Sequence, residues 1–171
     1  MLDQGIGSAL TGNAVDAVQK ISSTVNVYRS MGSTLRLPEY LWYLAKAYAQ
    51  LGQMDDAWHR VDEAITIMRA SGEIWCEAEL RRVSGEIALM GGNPEAEMAE
   101  AYFQHAIAVA RQQQARSWEL RAAMSMARLW RDQGKRDQAR ELLAPVYGWF
   151  TEGFDTLDLK EAKALLDELA Q

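Results

Sequence analysis

Apolar residues recur in this chain with a long period. The set Leu41, Leu44, Ala45, Tyr48, Ala57, Val61 and Ala64 has counterparts forty to forty-two residues further on, and self-similarity at such a distance is what stacked supersecondary units produce. Within each unit the apolar positions lie three and four apart, which is the spacing of one helix face. A pair of amphipathic helices cannot bury its apolar side alone, so successive pairs must stack. The expectation is an all-α chain of helical hairpins that offers a long concave surface to another polypeptide.

The first complete unit is 38–72. Pro38 suits an opening helical turn, where a missing amide hydrogen costs nothing. Leu41, Leu44, Ala45 and Tyr48 share one face, and Gly52 supplies a left-handed stop. A second helix starts near Met54, with Asp55 and Asp56 at the positive end of its dipole, and carries Ala57, Val61, Ala64, Ile65 and Met68 up to Gly72. The second unit, 73–114, places Leu80, Val83, Gly85, Ala88 and Leu89 on its first helix. A turn at Gly91, Gly92, Asn93 and Pro94 follows, with Asn93 as N-cap and Pro94 as first helical residue. Ala99, Phe103, Ala106, Ile107 and Ala110 lie on its second helix. Ala57 to Ala99 and Ala64 to Ala106 are each 42 residues, so this turn has two residues more than a forty-residue unit needs. The third unit, 115–153, carries Ala123, Met126, Ala127 and Trp130, then Gly134, then Ala139, Leu143 and Val146. Pro145 falls inside its second helix and predicts a kink near Ala144. Residues 156–170 read as a final amphipathic helix whose interspersed charges make a solvating cap.

Residues 12–32 align with 52–72 at a distance of forty, Ala17, Ile21 and Thr24 falling where Ala57, Val61 and Ala64 fall. They predict the second helix of a unit whose first helix is incomplete at Met1. On this register 1–32 is a partial repeat and 1–171 is a single repeat domain, cut from something longer. The face left without a stacking partner is a candidate homodimer interface.

Cys76 is the only cysteine, which rules out an internal disulfide and suits a reducing compartment. The amino end has no basic start followed by an apolar run, and charges such as Lys46, Glu86 and Arg121 break every stretch that approaches the length of a bilayer span. A cytoplasmic protein without membrane contact is expected. The net charge of −6 argues against nucleic acid, which needs clustered Lys and Arg. Charge is uneven, however. Seven basic residues face four acids over 116–141, whereas 73–114 holds seven glutamates against three arginines.

A large residue, then Leu and a small residue, then an aromatic, followed by Ala and a large apolar residue in the next helix, resembles the tetratricopeptide pattern. Leu41, Leu44, Ala45, Tyr48, Ala57 and Val61 fit it, as do Ala127, Trp130, Ala139 and Leu143, while Gly85, Ala99 and Phe103 fit in part. The period exceeds the usual thirty-four, so the units are lengthened. Residues 99–169, above all "RAAMSMARLWRDQGKRDQARELLAPVYGWFTEGFDTLDLKEAKALLDEL", resemble the carboxyl-terminal end of large bacterial signalling ATPases, of the adenylate/guanylate cyclase or transcription-regulator type. "LPEYLWYLAKAYAQLGQMDDA" looks like an upstream repeat of the same region. This resemblance implies a right-handed α-α superhelix of tetratricopeptide-like hairpins with a sensor or scaffold role. No activity of such a parent transfers to these residues.

The same resemblance implies that the first helix of each hairpin lines the inner groove. The side opposite its packing residues then nominates Trp42, Lys46 and Gln50, next Arg82, Glu86 and Met90, and last Met124, Arg128 and Arg131 as partner-binding residues. An aromatic among basic groups suits an acidic or extended peptide. The plainer alternative is a solvated face of inter-helix ion pairs, and a third is a groove for a small-molecule effector. The other tryptophans, Trp58, Trp75, Trp118, Trp130 and Trp149, read as filling between hairpins. His59, His105 and Cys76 lack the paired spacing of a zinc site. Gly5 to Gly12 lacks the Lys and the preceding strand of a phosphate loop. Asp55, Asp56, Glu95, Glu97 and Glu100 are explained by helix starts. No catalytic residue, metal ligand or cofactor is expected.

Overall fold

The computed structural model describes residues 13–91 and 95–171. Among the described residues there are eight α-helices and no strand: α1 (Ala14–Ser30), α2 (Leu37–Gln50), α3 (Met54–Ser71), α4 (Glu77–Met90), α5 (Ala96–Gln112), α6 (Arg116–Asp132), α7 (Arg136–Tyr147) and α8 (Leu157–Leu169). A single 3-10 turn, Ile74–Cys76, joins α3 to α4.

Left-handed residues set where the helices stop. Gly32, Gly72 and Gln114 take positive φ after α1, α3 and α5, at spacings of 40 and 42 residues, and Gly52 and Gly134 do so after α2 and α6. The long period of the sequence is thus written into the backbone. A residue without a Cβ adopts this conformation freely; Gln114, at φ 56, does so with a full side chain. At the other ends, Asn13 accepts a hydrogen bond from the Asp16 amide at 3.2 Å and Pro38 occupies the first turn of α2. Helix α5 opens at Ala96 with Glu95 as its N-cap, later than the expected start. Asn93 and Pro94 lie outside the described residues, as does 1–12, where the incomplete first helix was expected.

Each helix packs on the next in sequence, from α1 on α2 through to α7 on α8. Alternate helices also meet: α2 on α4, α4 on α6 and α6 on α8. Apolar burial drives this arrangement. Ala17, Ile21 and Val25 of α1 share a core with Leu41, Leu44, Ala57, Val61 and Leu80, while Leu120, Ala123, Leu143, Leu159 and Leu165 fill the other end. Val25, rather than the aligned Thr24, is the buried residue of that turn of α1; Thr24 donates its hydroxyl to the Lys20 carbonyl instead. Longer side chains tie α3 to its counterparts: Arg29 of α1 pairs with Glu63, and the Trp58 ring stacks on Tyr102 of α5 at 6.0 Å.

Two expectations change. Helix α7 runs unbroken through Pro145 and ends two residues later at Tyr147, with the Gly148 amide donating to the Ala144 carbonyl at 2.9 Å. A proline in the last turn removes one bond from a helix about to stop, so the interruption is an early end. Trp75 and Trp149 are exposed rather than core, because both sit in connections. Trp75 faces Trp118 at 5.9 Å, and Trp149 has the Arg116 guanidinium 5.0 Å from its ring centre. Trp58, Trp118 and Trp130 are half-buried between helices. No described helix is long and apolar enough to cross a membrane.

Candidate functional site: a groove across alternate helices

Because α2, α4, α6 and α8 pack side by side, each presents one face to a shared groove of about 690 Å³. Its floor is apolar. Trp42 (5% exposed), Val83 and Met124 (3% exposed) lie there, and the Trp42 ring leans on Tyr43 at 5.6 Å. Burial raises the Tyr43 phenol above its ordinary value, so the hydroxyl stays protonated near neutral pH.

Seven of the nine nominated residues come together here: Trp42, Lys46, Gln50, Arg82, Glu86, Met124 and Arg128. Trp42 and Met124 are far less accessible than a groove wall would require: Trp42 packs into the core shared by α1 to α4, and Met124 into that of α6, α7 and α8. Met90 and Arg131 stand apart. Met90 ends α4 and is 40% exposed, and Arg131 reaches Glu168 of α8 at 3.0 Å and its neighbour Asp132 at 2.8 Å.

The charges of the groove are engaged with one another. Glu79, 5% exposed, accepts two hydrogen bonds from Arg82, at 2.9 and 2.7 Å, in a fork that matches the planar guanidinium to the carboxylate. Arg82 also donates to Glu86, which accepts from Lys46 at 3.0 Å. Arg121 lies 3.5 Å from Glu79 and donates to Asp158 at 2.7 Å. A chain of alternating charge therefore runs Lys46, Glu86, Arg82, Glu79, Arg121, Asp158, crossing α2, α4, α6 and α8 in turn. Arg128 adds a separate bridge to Glu161 at 2.8 Å. Burial would raise the Glu86 carboxyl, but Arg82 and Lys46 outweigh it and hold the group below the usual range. Burial alone would lower Arg82; Glu79 and Glu86 reverse that and raise it.

Register reasoning missed Glu79 and Arg121, each one helical turn before a nominated residue and findable by extending the stripe three positions back. It also missed Leu157, Asp158 and Glu161. Reading α8 only as a cap hid the fact that it packs on α6 as α6 packs on α4, and so lends the groove a fourth wall. Leu157 stands 70% exposed at that rim. Beside the groove, and sharing Glu86 and Arg128 with it, a recess of about 390 Å³ is backed by Leu89, Phe103 and Leu129.

Elsewhere, Cys76 is buried with its Sγ 3.5 Å from the Met68 Sδ, and burial pushes its thiol up to about 12. It is an inert packing group at neutral pH. Among the described residues no three metal-ligating side chains converge. Compared with known proteins, the chain matches no protein-family model and no curated protein.

Proposed function

We propose that this chain is a non-catalytic binding module of the cytoplasm, a right-handed stack of tetratricopeptide-like hairpins that holds a polypeptide segment in the groove of α2, α4, α6 and α8. The groove itself is the main support. It is open, it crosses four helices, and its apolar floor lies between polar walls, which is the anatomy of a protein-recognition surface. The resemblance of 99–169 to the repeat region of signalling ATPases supports a regulatory or scaffold role within a larger assembly. Chemistry is disfavoured because the groove carboxylates Glu79, Glu86, Asp158 and Glu161 each accept from a Lys or Arg, which engages them within the protein rather than with a substrate proton.

The test is site-specific photocrosslinking in the full chain inside cells. A photoreactive phenylalanine at Gln50 or Leu157 should yield a polypeptide adduct, while the same group at Thr66 or Ala108, on the outer helices α3 and α5, should not. Equal adducts from both faces would remove the groove from consideration. A saturable small-molecule mass shift in native mass spectrometry, with no polypeptide adduct, would select an effector-binding sensor instead.

A further inference from the structure

We infer that the groove's occupant is an uncharged segment with apolar anchors, neither an acidic nor a basic peptide. The inference rests on the reading of the groove as a polypeptide site and specifies the partner's chemistry. Four bases and four acids line the groove, and each base has an acid within hydrogen-bond distance. A carboxylate entering beside Arg82 or Arg121 would meet a cation whose donors already reach Glu79, Glu86 or Asp158. Displacing one of these would strand a half-buried anion, and an uncompensated buried charge is costly. An entering ammonium faces the same obstacle from the other sign. The field of the groove is therefore largely balanced within the protein, and little of it is left for complementarity by net charge.

What stays available is apolar. Leu157 projects at one rim, 70% exposed, and the recess past Glu86 and Arg128 opens on the half-buried Leu89 and Ala96. Two apolar stations thus flank a belt of satisfied ion pairs. An extended segment with an apolar side chain at each station, and neutral residues between, meets both without breaking a pair. Its affinity should come from desolvation and shape and so respond weakly to salt.

The experiment is display selection of random dodecapeptides against the whole chain, followed by titration calorimetry of the enriched peptides. Uncharged, apolar-rich peptides should emerge, with dissociation constants that change less than about threefold between 50 and 500 mM NaCl, since only charge-based contacts are screened. Two variants localise the effect. Leu157→Glu, at an exposed rim position, should weaken binding about tenfold or more by placing a charge beside an apolar side chain. The paired exchange Arg128→Glu with Glu161→Arg keeps the bridge and the net charge and should leave affinity within about threefold, as expected where the pair contributes little. Enrichment of Asp/Glu-rich or Lys/Arg-rich peptides, or loss of binding in the exchange variant with its fold intact by circular dichroism, would overturn the inference while leaving the groove as a binding site. Peptides indifferent to Leu157→Glu, or none at all, would overturn the groove reading and the inference with it.

Discussion

A Cβ added to Gly85 would lie 2.5 Å from Cε1 of Phe103, a ring that is 1% exposed. The fit is between α4 and α5 of one hairpin. Replacing Gly85 gains about 1 kcal/mol of helix propensity, and overpacking a tight core costs about 1–3 kcal/mol. Gly85→Leu combines that gain with far more volume. Its thermal midpoint should drop by several degrees, at about 2–4 °C per kcal/mol for a chain of this size; an unchanged midpoint would mean that Phe103 yields freely. Gln114 presents the opposite case. It holds φ 56 where the equivalent turn after α3 has Gly72 at φ 73, and a left-handed non-glycine residue carries about 1 kcal/mol of strain. Gln114→Gly should raise the midpoint by about 2–4 °C, even though the side chain's bond to the Arg111 carbonyl at 3.0 Å is lost. Differential scanning calorimetry checks both.

Helix α8 is secured in two ways. Leu159, Ala162, Leu165 and Leu169 bury its apolar side against α6 and α7, and a ladder of three bridges joins it to α6, pairing Arg121 with Asp158, Arg128 with Glu161 and Arg131 with Glu168. The ladder is partly exposed, and such bridges contribute at most about 1 kcal/mol each. Concentrated salt shortens the screening length to about 3 Å. Amide hydrogen exchange in α8 should therefore speed up several-fold in 1 M NaCl relative to α4, whose forked Glu79–Arg82 pair is sheltered. If α8 and α4 respond alike, the apolar face alone secures the last helix.

At the scale of the whole molecule, the chain of charges from Lys46 to Asp158 links residues of neighbouring helices that stand 37 to 42 apart in sequence. Glu86 sits within it, held below the usual carboxylate range by Arg82 and Lys46 against the effect of burial. A carboxyl depressed in the folded state binds its proton more readily when unfolded. Its stabilising contribution is therefore present above the ordinary carboxylate value and lost as pH falls through the lower folded value. Glu86→Gln should cost about 1–3 kcal/mol in urea titrations at pH 7, as expected for a charged hydrogen-bonding partner. The difference from the parent should shrink as pH falls below the ordinary carboxylate range and through the lower folded value. A penalty independent of pH would show that Glu86 acts through shape.

The helical character of this chain was legible because it is local. Apolar spacing, the glycines at 32, 52, 72 and 134 and the proline at 38 all act within a turn or two of where they stand. Most of the groove face was legible for the same reason, since a stripe on one helix follows from its register. What each charge does there was not. Lys46, Arg82 and Arg128 admit two readings in the sequence, a partner-binding face or inter-helix ion pairs, and the folded chain pairs them with its own acids at separations from three residues to forty. Trp42 and Met124 read as walls and became a floor, because burial depends on how the neighbouring helices close over each residue. By itself the sequence determined which residues coil and which side of each coil is oily, since those follow from short-range sterics and hydropathy. Only the tertiary structure decided which helix faces meet, and therefore which charges neutralise one another, because ion pairing falls off within a few ångströms and responds to distance in space alone.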